Sequence, residues 1–423
     1  MHFASRYLEK HSLYDNYILQ EPHGDLQYIV VIPCYDEEGI VRTLQSLWEA
    51  YRPRHAVEVV VVVNASENDP PELIERNSKT REELVGWKNN HDEEAFCCHC
   101  IYVDDLHGDK AGAGLARKIG MDEAVARFNR LNRGGGFIIS LDADTRVEKN
   151  YFRVIEKTLK ENTKLNAGIL YFEHPLDGED FSPDLYEGIV RYELFLRYYN
   201  QALRWAGYPY AFQTIGSAFC VRAEAYTKQG GMNTRRAGED FYFLNKIFQL
   251  GGVRDITETM VIPSPRPSSR VLFGTGPEMI RWLQDPTRSY LTYHPRVFQV
   301  LKQFLARTGD FFEIDGNRKN QVMKEIDPVM RDFLYQTGFE RELQRINNNS
   351  NSLLTFRKHF MHWFNGLRII RFIHHAHDKQ WEKMPLDQAA KTLLGWMKEY
   401  VPDGYRQMLV QYRQMGKYSS WAI

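Results

Sequence analysis

Two apolar, β-branched runs separated by a helical pattern constrain the fold more than any other feature of this chain. Tyr28–Pro33 (YIVVIP) and Val57–Asn64 (VEVVVVVN) are typical of buried strands, and Gly39–Tyr51 between them is typical of a helix. The alternation continues, because strands are also predicted over Phe96–Val103 and Phe137–Leu141. Strands that alternate with helices indicate βαβ units and a largely parallel sheet. We therefore predict an α/β fold for this part of the chain.

Composition and charge argue against several classes of protein. The chain has 423 residues, with 54 lysine and arginine residues against 55 aspartate and glutamate residues. This balance argues against a dedicated nucleic-acid-binding protein, and 43% apolar residues argue against disorder. Met1–Lys10 has no apolar signal segment, and the uncharged stretch Trp205–Val221 is too polar to span a bilayer. Five cysteines without disulfide spacing favour a reducing compartment, so we expect a soluble cytoplasmic protein.

The chain changes character near residue 275. Residues 276–423 have mostly helical patterns and carry a net charge of +7, whereas residues 1–275 carry −8. Pro263–Pro277, which is rich in proline, serine and glycine, is the best candidate for the boundary. We predict an α/β domain over residues 1–275 and an all-helical C-terminal domain over residues 276–423.

Polar segments follow the predicted strands, at the edge where doubly wound sheets bind their ligands. Cys34–Gly39 (CYDEEG) follows the first strand and lacks the glycines of a dinucleotide-binding or P-loop segment. Asp142 and Asp144 follow the fourth strand, and two carboxylates in this spacing can hold one hard divalent cation together with a diphosphate. The same spacing in a surface turn is most often solvated, but its place after a buried strand favours a metal site.

A second acidic pair, Glu239 and Asp240, opens a helix predicted over Asp240–Leu250. Acids at a helix start commonly serve as caps or compensate the helix dipole. The pair alone leaves that role and a catalytic role equally open.

The order of these segments resembles the family-2 glycosyltransferases of the GT-A fold. The matching segments lie within residues 28–262 and are VVIPCYDEEGI, VVVNASEND, GDKAGAGLARKIGMDEA, ISLDADT and GSAFCVRAEAY…GGMN…AGED. The resemblance implies a Rossmann-like, mostly parallel mixed sheet flanked by helices. It also implies sugar transfer from a nucleotide-sugar, usually with inversion, and a divalent cation (Mn²⁺ or Mg²⁺) on the donor diphosphate. The Q-x-x-R-W signature and the membrane helices of processive synthases are absent, which favours a single addition.

Site roles follow from the resemblance by position. Asp142 and Asp144 match the D-x-D motif that meets ribose, metal and diphosphate, and Asp240 matches the general base, with Glu239 beside it. Asn64 replaces an aspartate that often contacts the nucleobase, so UDP is favoured over GDP only weakly. The remaining match is the P-x-Y-N-E donor segment, in which Asp36 replaces the usual asparagine and the donor-binding residues are Pro33, Tyr35 and Glu37.

Departure of a nucleoside diphosphate also needs cations near the phosphates. Lys110 and Arg270 lie in predicted loops from which they could reach phosphate, and we expect both to bind the donor. Arg266 is a third loop cation, which we expect to be a solvated charge.

Two alternatives stay open beside an inverting, UDP-sugar-dependent transferase. One is a retaining enzyme of the same fold, in which Asp240 is not the base. The other is a nucleotide-sugar-binding protein that has lost catalysis, which the intact D-x-D and E-D pairs argue against. The acceptor is a saccharide, a lipid-linked compound or a small molecule, and no nucleic acid is expected.

Leu353–Ile373 is the densest mixture of aromatic and basic residues in the C-terminal part. As a single helix it presents one aromatic face, which suits peripheral contact with an anionic membrane at its cytoplasmic side, or core packing against the rest of the protein. Two further clusters contain residue types that commonly bind metals, but their arrangement argues against a metal site. A predicted strand places neighbouring residues on opposite faces, and it contains Cys97, Cys98 and Cys100. A predicted helix surface contains His374, His375 and His377.

Overall fold

The computed structural model describes residues 2–12, 17–106, 112–235, 238–419 and 421–423. The chain forms two compact units. Unit 1 comprises Met1–Ile189, Gln213–Pro286 and Lys417–Ile423, and unit 2 comprises Val190–Phe212 and Thr287–Gly416. Unit 1 therefore continues past the boundary expected at residues 275 and 276, and unit 2 includes a segment from the first half of the chain.

Ten strands are assigned in the described ranges. In chain order they are β1 Leu26–Cys34, β2 Ala56–Ser66, β3 Phe96–Leu106, β4 Phe137–Ser140, β5 Arg146–Val147, β6 Ala167–Phe172, β7 Phe219–Arg222, β8 Val253–Ile262, β9 Leu291–Thr292 and β10 Met384–Pro385. The first eight form one sheet in the order β3-β2-β1-β4-β7-β6-β8-β5, and β9 pairs with β10.

The sheet of unit 1 is mixed and mostly parallel. Strand β1 pairs in parallel with β2 and β4, β2 with β3, and β6 with β8. Strand β7 runs antiparallel between β4 and β6, and the short β5 runs antiparallel to β8. The predicted α/β class, with a mostly parallel mixed sheet flanked by helices, is confirmed.

Helices flank this sheet and make up most of unit 2. In chain order they are α1 Ser5–His11, α2 Ile40–Glu49, α3 Pro71–His91, α4 Ala113–Arg130, α5 Tyr151–Glu161, α6 Pro183–Trp205, α7 Ala223–Lys228, α8 Glu239–Phe248, α9 Thr275–Gln284, α10 Pro295–Ala306, α11 Gly316–Glu325, α12 Pro328–Gln336, α13 Phe339–Asn348, α14 Leu353–Trp363, α15 Gly366–Lys379, α16 Leu386–Met397 and α17 Tyr405–Tyr418. A short 3₁₀ turn spans Thr308–Phe311.

Helix α4 is buried along almost its whole length against β1 and β2. Gly120 permits this close contact, because a Cβ atom there would lie 2.5 Å from Val31. The same helix carries the charged side chains of Arg117 and Arg127, both buried.

Unit 2 corrects the prediction of one helix over Leu353–Ile373. The segment forms α14 and α15, because Asn365 starts a new helix by accepting a hydrogen bond from the Arg368 backbone N–H at 3.2 Å. Phe356 and Phe360 are fully buried and pack within unit 2. The aromatic residues of this segment therefore belong to the core of unit 2. None of the described helices combines the length and the apolar character needed to cross a membrane.

Candidate functional site

The carboxyl ends of β2, β1 and β4 lie side by side because these strands are neighbours in the sheet. The polar segments predicted to carry chemistry therefore meet at one edge of unit 1. Asn64 lies near the end of β2, Tyr35 follows β1, and Asp142 follows β4. Pro33, still within β1, is paired with Val62 of β2, two residues before Asn64.

Asp142 and Asp144 lie on a turn that other residues hold in place. The Thr43 hydroxyl donates to the Ala143 carbonyl at 2.8 Å, and the Thr145 N–H donates to the Asp142 carbonyl at 3.1 Å. Desolvation, with the nearby charges of Glu37 and Asp142, raises the pKa of Asp144 to about 7. Ionisation of Asp144 is therefore less favourable in the protein than in water.

A divalent cation fits this arrangement, because it would neutralise carboxylates that repel one another. Carboxylate oxygens are the ligands that Mg²⁺ and Mn²⁺ prefer. Across the part of the chain that the structure describes, no group of three or more His, Cys, Asp or Glu side chains could hold a metal ion. Two carboxylates on one turn can supply protein ligands for such an ion, with phosphate and water oxygens completing its coordination, as Mg²⁺ sites commonly do.

Arg117, which the sequence analysis did not single out, joins the two acidic motifs. Its guanidinium donates to Asp142 Oδ1 at 2.9 Å and to Glu239 Oε1 at 3.3 Å, and its side chain is 4% exposed. Burial opposes its charge, but the carboxylates of Asp142, Glu239 and Asp240 outweigh burial and raise its pKa. An arginine on a helix is usually solvated, and these partners lie far away in sequence. No local signal therefore distinguishes Arg117.

Glu239 and Asp240 form the first turn of α8, after Gly238 in the left-handed region at φ +70°. The two acids differ in their contacts. Glu239 is buried and paired with Arg117, whereas Asp240 Oδ1 accepts a hydrogen bond from the Phe241 N–H at 2.7 Å. Desolvation and the neighbouring Glu239 raise the pKa of Asp240 to about 7. Asp240 therefore has the acidity of a group that exchanges protons near neutral pH.

The segment after β1 holds its acids by ion pairs. Asp36 adopts a left-handed φ of +51°, and its carboxylate pairs with Arg76 at 2.6 Å. Glu37 is buried and accepts from both Arg266 and Arg270, the latter at 3.2 Å. Arg266 is therefore an ion-pair partner, and the expectation of a solvated charge was wrong.

Tyr35 lies on the same segment and reaches toward the loop after β2. Its hydroxyl donates to Asp69 at 3.0 Å, and desolvation raises its pKa to about 12. Arg270 donates to the Tyr35 carbonyl at 2.6 Å. Lys110, the other cation expected at the donor, lies outside the described residues.

Asn64 is the clearest unpaired group at this edge. Its side chain is buried, and neither Oδ1 nor Nδ2 has a hydrogen-bond partner among the residues that are described. Its backbone carbonyl accepts from Asn77 at 3.0 Å, which fixes the main chain. Buried polar groups without a partner are rare and cost about 1–3 kcal/mol each. Such an amide requires a further partner, such as a water molecule or a ligand.

The cysteine cluster lies on β3 and the histidine cluster lies on α15. Cys98 is buried in β3, Cys97 and Cys100 are half-buried, and all three are free thiols. On α15, His377 donates from Nδ1 to the Trp381 carbonyl at 2.7 Å.

No family model matches this chain, and no curated protein matches it. The chain is similar to S. aureus TarS 1–349 in complex with UDP-GlcNAc, with 13% identity, a TM-score of 0.41 and coverage of 93% of each chain.

It is also similar to GalNAc-T7 with UDP, GalNAc and Mn²⁺, with 16% identity, a TM-score of 0.37 and coverage of 61% of this chain and 48% of that one. A third similar structure is the mannosyltransferase PcManGT from Pyrobaculum calidifontis in complex with GDP-Man and Mn²⁺, with 14% identity, a TM-score of 0.34 and coverage of 98% and 92%. Similarity to glycosyltransferase structures was the expectation from sequence, and it is found. Membership of family 2 stays a prediction, and at these TM-scores the similarities bear on no individual residue.

Proposed function

We propose that the chain is a glycosyltransferase that moves a sugar from a nucleotide-sugar, with a UDP-sugar favoured, to an acceptor hydroxyl. The observation that carries the proposal is the meeting of two acidic motifs at one sheet edge. The Asp142–Asp144 turn and the start of α8 both contact the Arg117 guanidinium. Sugar transfer needs the two functions that such motifs can serve, namely a cation on the departing diphosphate and a base for the incoming hydroxyl.

We assign recognition of the nucleobase to the Asn64 amide, whose Oδ1 and Nδ2 have no hydrogen-bond partner among the described residues. An amide offers one acceptor and one pair of donors, which complements a base edge such as N3–H and O4 of uracil. Pro33, Tyr35 and Glu37 join the donor side because β1, which leads into them, pairs with the strand that carries Asn64.

Arg270 is the described cation best suited to the diphosphate. Its side chain is 25% exposed, and it shares the Glu37 carboxylate with Arg266. A diphosphate can therefore draw Arg270 away while Arg266 still neutralises Glu37. Lys110 keeps its expected donor-binding role on the basis of sequence alone.

Asp144, with Asp142 in support, is proposed to hold the divalent cation. When bound, such a cation stabilises the negative charge that develops on the departing diphosphate. Arg117 occupies one oxygen of Asp142, which leaves the other oxygen and the Asp144 carboxylate for the cation. Mn²⁺ accompanies two of the similar structures and is the first ion to test.

Asp240 is proposed as the general base of an inverting, non-processive transfer. A base works best when its pKa lies near the working pH, and the pKa of Asp240 is raised to about 7. The Glu239 carboxylate is engaged by Arg117, so Glu239 supports the base. In the retaining alternative Asp240 would not take the proton.

The test is a panel of UDP-glucose, UDP-N-acetylglucosamine and GDP-mannose, each with Mn²⁺ and with EDTA. Thermal shift reports binding, and release of nucleoside diphosphate reports slow donor hydrolysis. We expect at least one UDP-sugar to stabilise the protein in the presence of Mn²⁺ and to be hydrolysed. Binding without hydrolysis would favour the inactive binding protein, and no binding of any donor would overturn the proposal.

A further inference from the structure

Arg117 is tied to four separate segments of unit 1. Besides Asp142 and Glu239, its Nη1 atom donates to Ser140 Oγ at 2.6 Å and to the Gly216 carbonyl at 3.0 Å. All three guanidinium nitrogens are therefore used, and the partners come from the end of β4, the turn after it, the loop before β7 and the start of α8.

Gly216 brings Asp240 into the same arrangement. A Cβ atom on Gly216 would lie 2.7 Å from Arg117 Nη2 and 3.3 Å from Asp240 Oδ2. The guanidinium and the Asp240 carboxylate thus both pack against the Cα of one glycine. Only a residue without a side chain leaves the two groups in their present positions.

We propose that Arg117 is a positioning residue of the transfer, which holds the base-bearing start of α8 at a fixed distance from the D-x-D turn. The inference rests on the proposed function and adds a residue to it. Arg117 acts through Asp142, Glu239 and the Gly216 loop, and it needs no contact with the sugar.

The arrangement predicts a selective effect on turnover. Of the groups proposed for the donor side, Asp142 accepts a hydrogen bond from Arg117, whereas Asn64, Asp144 and Arg270 accept or donate none among the contacts described for Arg117. Loss of the planar Arg117 guanidinium should therefore displace the Asp240 base more than it weakens donor binding. A displacement of about 1 Å in a reacting group can cost about 100-fold in rate.

Arg127 offers a matched control on the same helix. It is fully buried like Arg117, but its guanidinium pairs with Glu58, near the amino end of β2. Lysine in place of either arginine keeps a point charge and loses the bidentate geometry. Both variants should lower thermal stability, so stability alone does not distinguish the roles.

The experiment compares Arg117→Lys, Arg127→Lys and Gly216→Ala with wild type, with the donor that wild type hydrolyses and saturating Mn²⁺. The readouts are kcat and KM for nucleoside diphosphate release per folded protein, and Kd for UDP with Mn²⁺. We expect Arg117→Lys and Gly216→Ala to lower kcat about 10- to 100-fold, with KM and Kd within about threefold, and Arg127→Lys to keep the wild-type kcat. Gly216→Ala displaces the guanidinium without removing it, so it serves if Arg117→Lys does not fold.

Equal kcat values for Arg117→Lys, Arg127→Lys and wild type would make Arg117 a structural ion-pair residue and overturn the inference. A loss of UDP affinity as large as the loss of kcat would do the same, because it would make Arg117 part of the donor site. Wild-type protein that binds no UDP with Mn²⁺ would instead overturn the proposed function, and the inference with it.

Discussion

One helix, α4, carries two buried arginines that differ in the carboxylates they contact. Arg127 donates two hydrogen bonds to the Glu58 carboxylate, one of them from Nη2 at 2.6 Å. His99 lies 3.8 Å from Glu58, but desolvation and the charge of Arg127 lower its pKa to about 3, so it is neutral at pH 7. The Arg127–Glu58 pair is direct and bidentate, as in buried pairs that serve structure.

At the other end of α4, one arginine meets an excess of acids. Arg117 contacts Asp142 and Glu239 directly, and Asp240 lies near enough to raise its pKa. Desolvation, with a smaller contribution from neighbouring carboxylates, raises the pKa values of Asp144 and Asp240 to about 7. Carboxyl groups in this state destabilise a protein when ionised, and they concentrate at functional sites. From this comparison we infer that a buried arginine with several carboxylate partners is a better candidate for a functional role than one in a single bidentate pair.

The largest expected effect on turnover comes from removing the Asp240 carboxylate, which we propose as the base. Asp240→Asn keeps the shape and removes the basicity, so the rate of donor hydrolysis should fall by about two to four decades while UDP binding survives. Asp184→Asn, an exposed acid in the first turn of α6, is the matched control and should leave both unchanged. Normal turnover by Asp240→Asn, or a transfer product that retains the donor's anomeric configuration, would remove Asp240 as the base.

The next effect concerns Asp144. Asp144→Asn should weaken Mn²⁺-dependent UDP binding by at least about tenfold, measured by calorimetry. Because the pKa of Asp144 is raised from 3.8 to about 7, its ionisation costs stability that is lost as the pH rises from about 4 to about 7. The metal-free variant should therefore also melt at a higher temperature than wild type at pH 8. Asp105→Asn, an exposed acid at the end of β3, should do neither. Unchanged affinity with Mn²⁺ would leave the turn as a solvated feature.

The pH dependence of turnover sharpens the assignment of Asp240. A base must be ionised, and with a pKa of about 7 its active fraction rises as the pH rises. At saturating donor and Mn²⁺, kcat for hydrolysis should increase about tenfold from pH 6 to pH 8 and then level off. The residual rate of Asp240→Asn should lack this step. A wild-type rate that falls over the same range would contradict a carboxylate base.

The smallest expected effect is on the affinity for the nucleobase of the donor. Asn64→Ala removes an amide that has no partner in the described part of the protein, so UDP affinity should fall about three- to tenfold with little loss of stability. Asn68→Ala, an exposed residue in the loop after β2, is the control. If UDP and GDP bind equally and Asn64→Ala alters neither, Asn64 has no part in base recognition.

The sequence predicted the elements of unit 1 well because their signals are local. Runs such as Val57–Asn64 bury β-branched side chains, and β2 indeed spans Ala56–Ser66. The strand-end positions of Asn64 and Asp142 follow from the same patterns. The antiparallel insertion of β7 between β4 and β6 did not, because a four-residue strand carries no signal of direction or neighbour.

The contacts within the site could not be predicted from local sequence patterns. Arg117 bonds to partners 23 to 122 residues away, and Arg266 reaches Glu37 across 229 residues. Such pairs depend on the tertiary fold, so a charge in a loop or on a helix looks solvated until the fold is known. The break between α14 and α15 was missed for a different reason. The aromatic pattern continues through it, while Phe364 caps the end of α14 and Asn365 caps the start of α15.

The most direct test of the account is diffraction from crystals of the protein soaked with UDP and Mn²⁺, with anomalous data collected for manganese. The account predicts a manganese peak within coordination distance of the Asp144 carboxylate and of the diphosphate, and a uracil ring hydrogen-bonded to the Asn64 amide. Manganese or UDP bound away from this edge, with Asp144 and Asn64 still without a ligand, would contradict it.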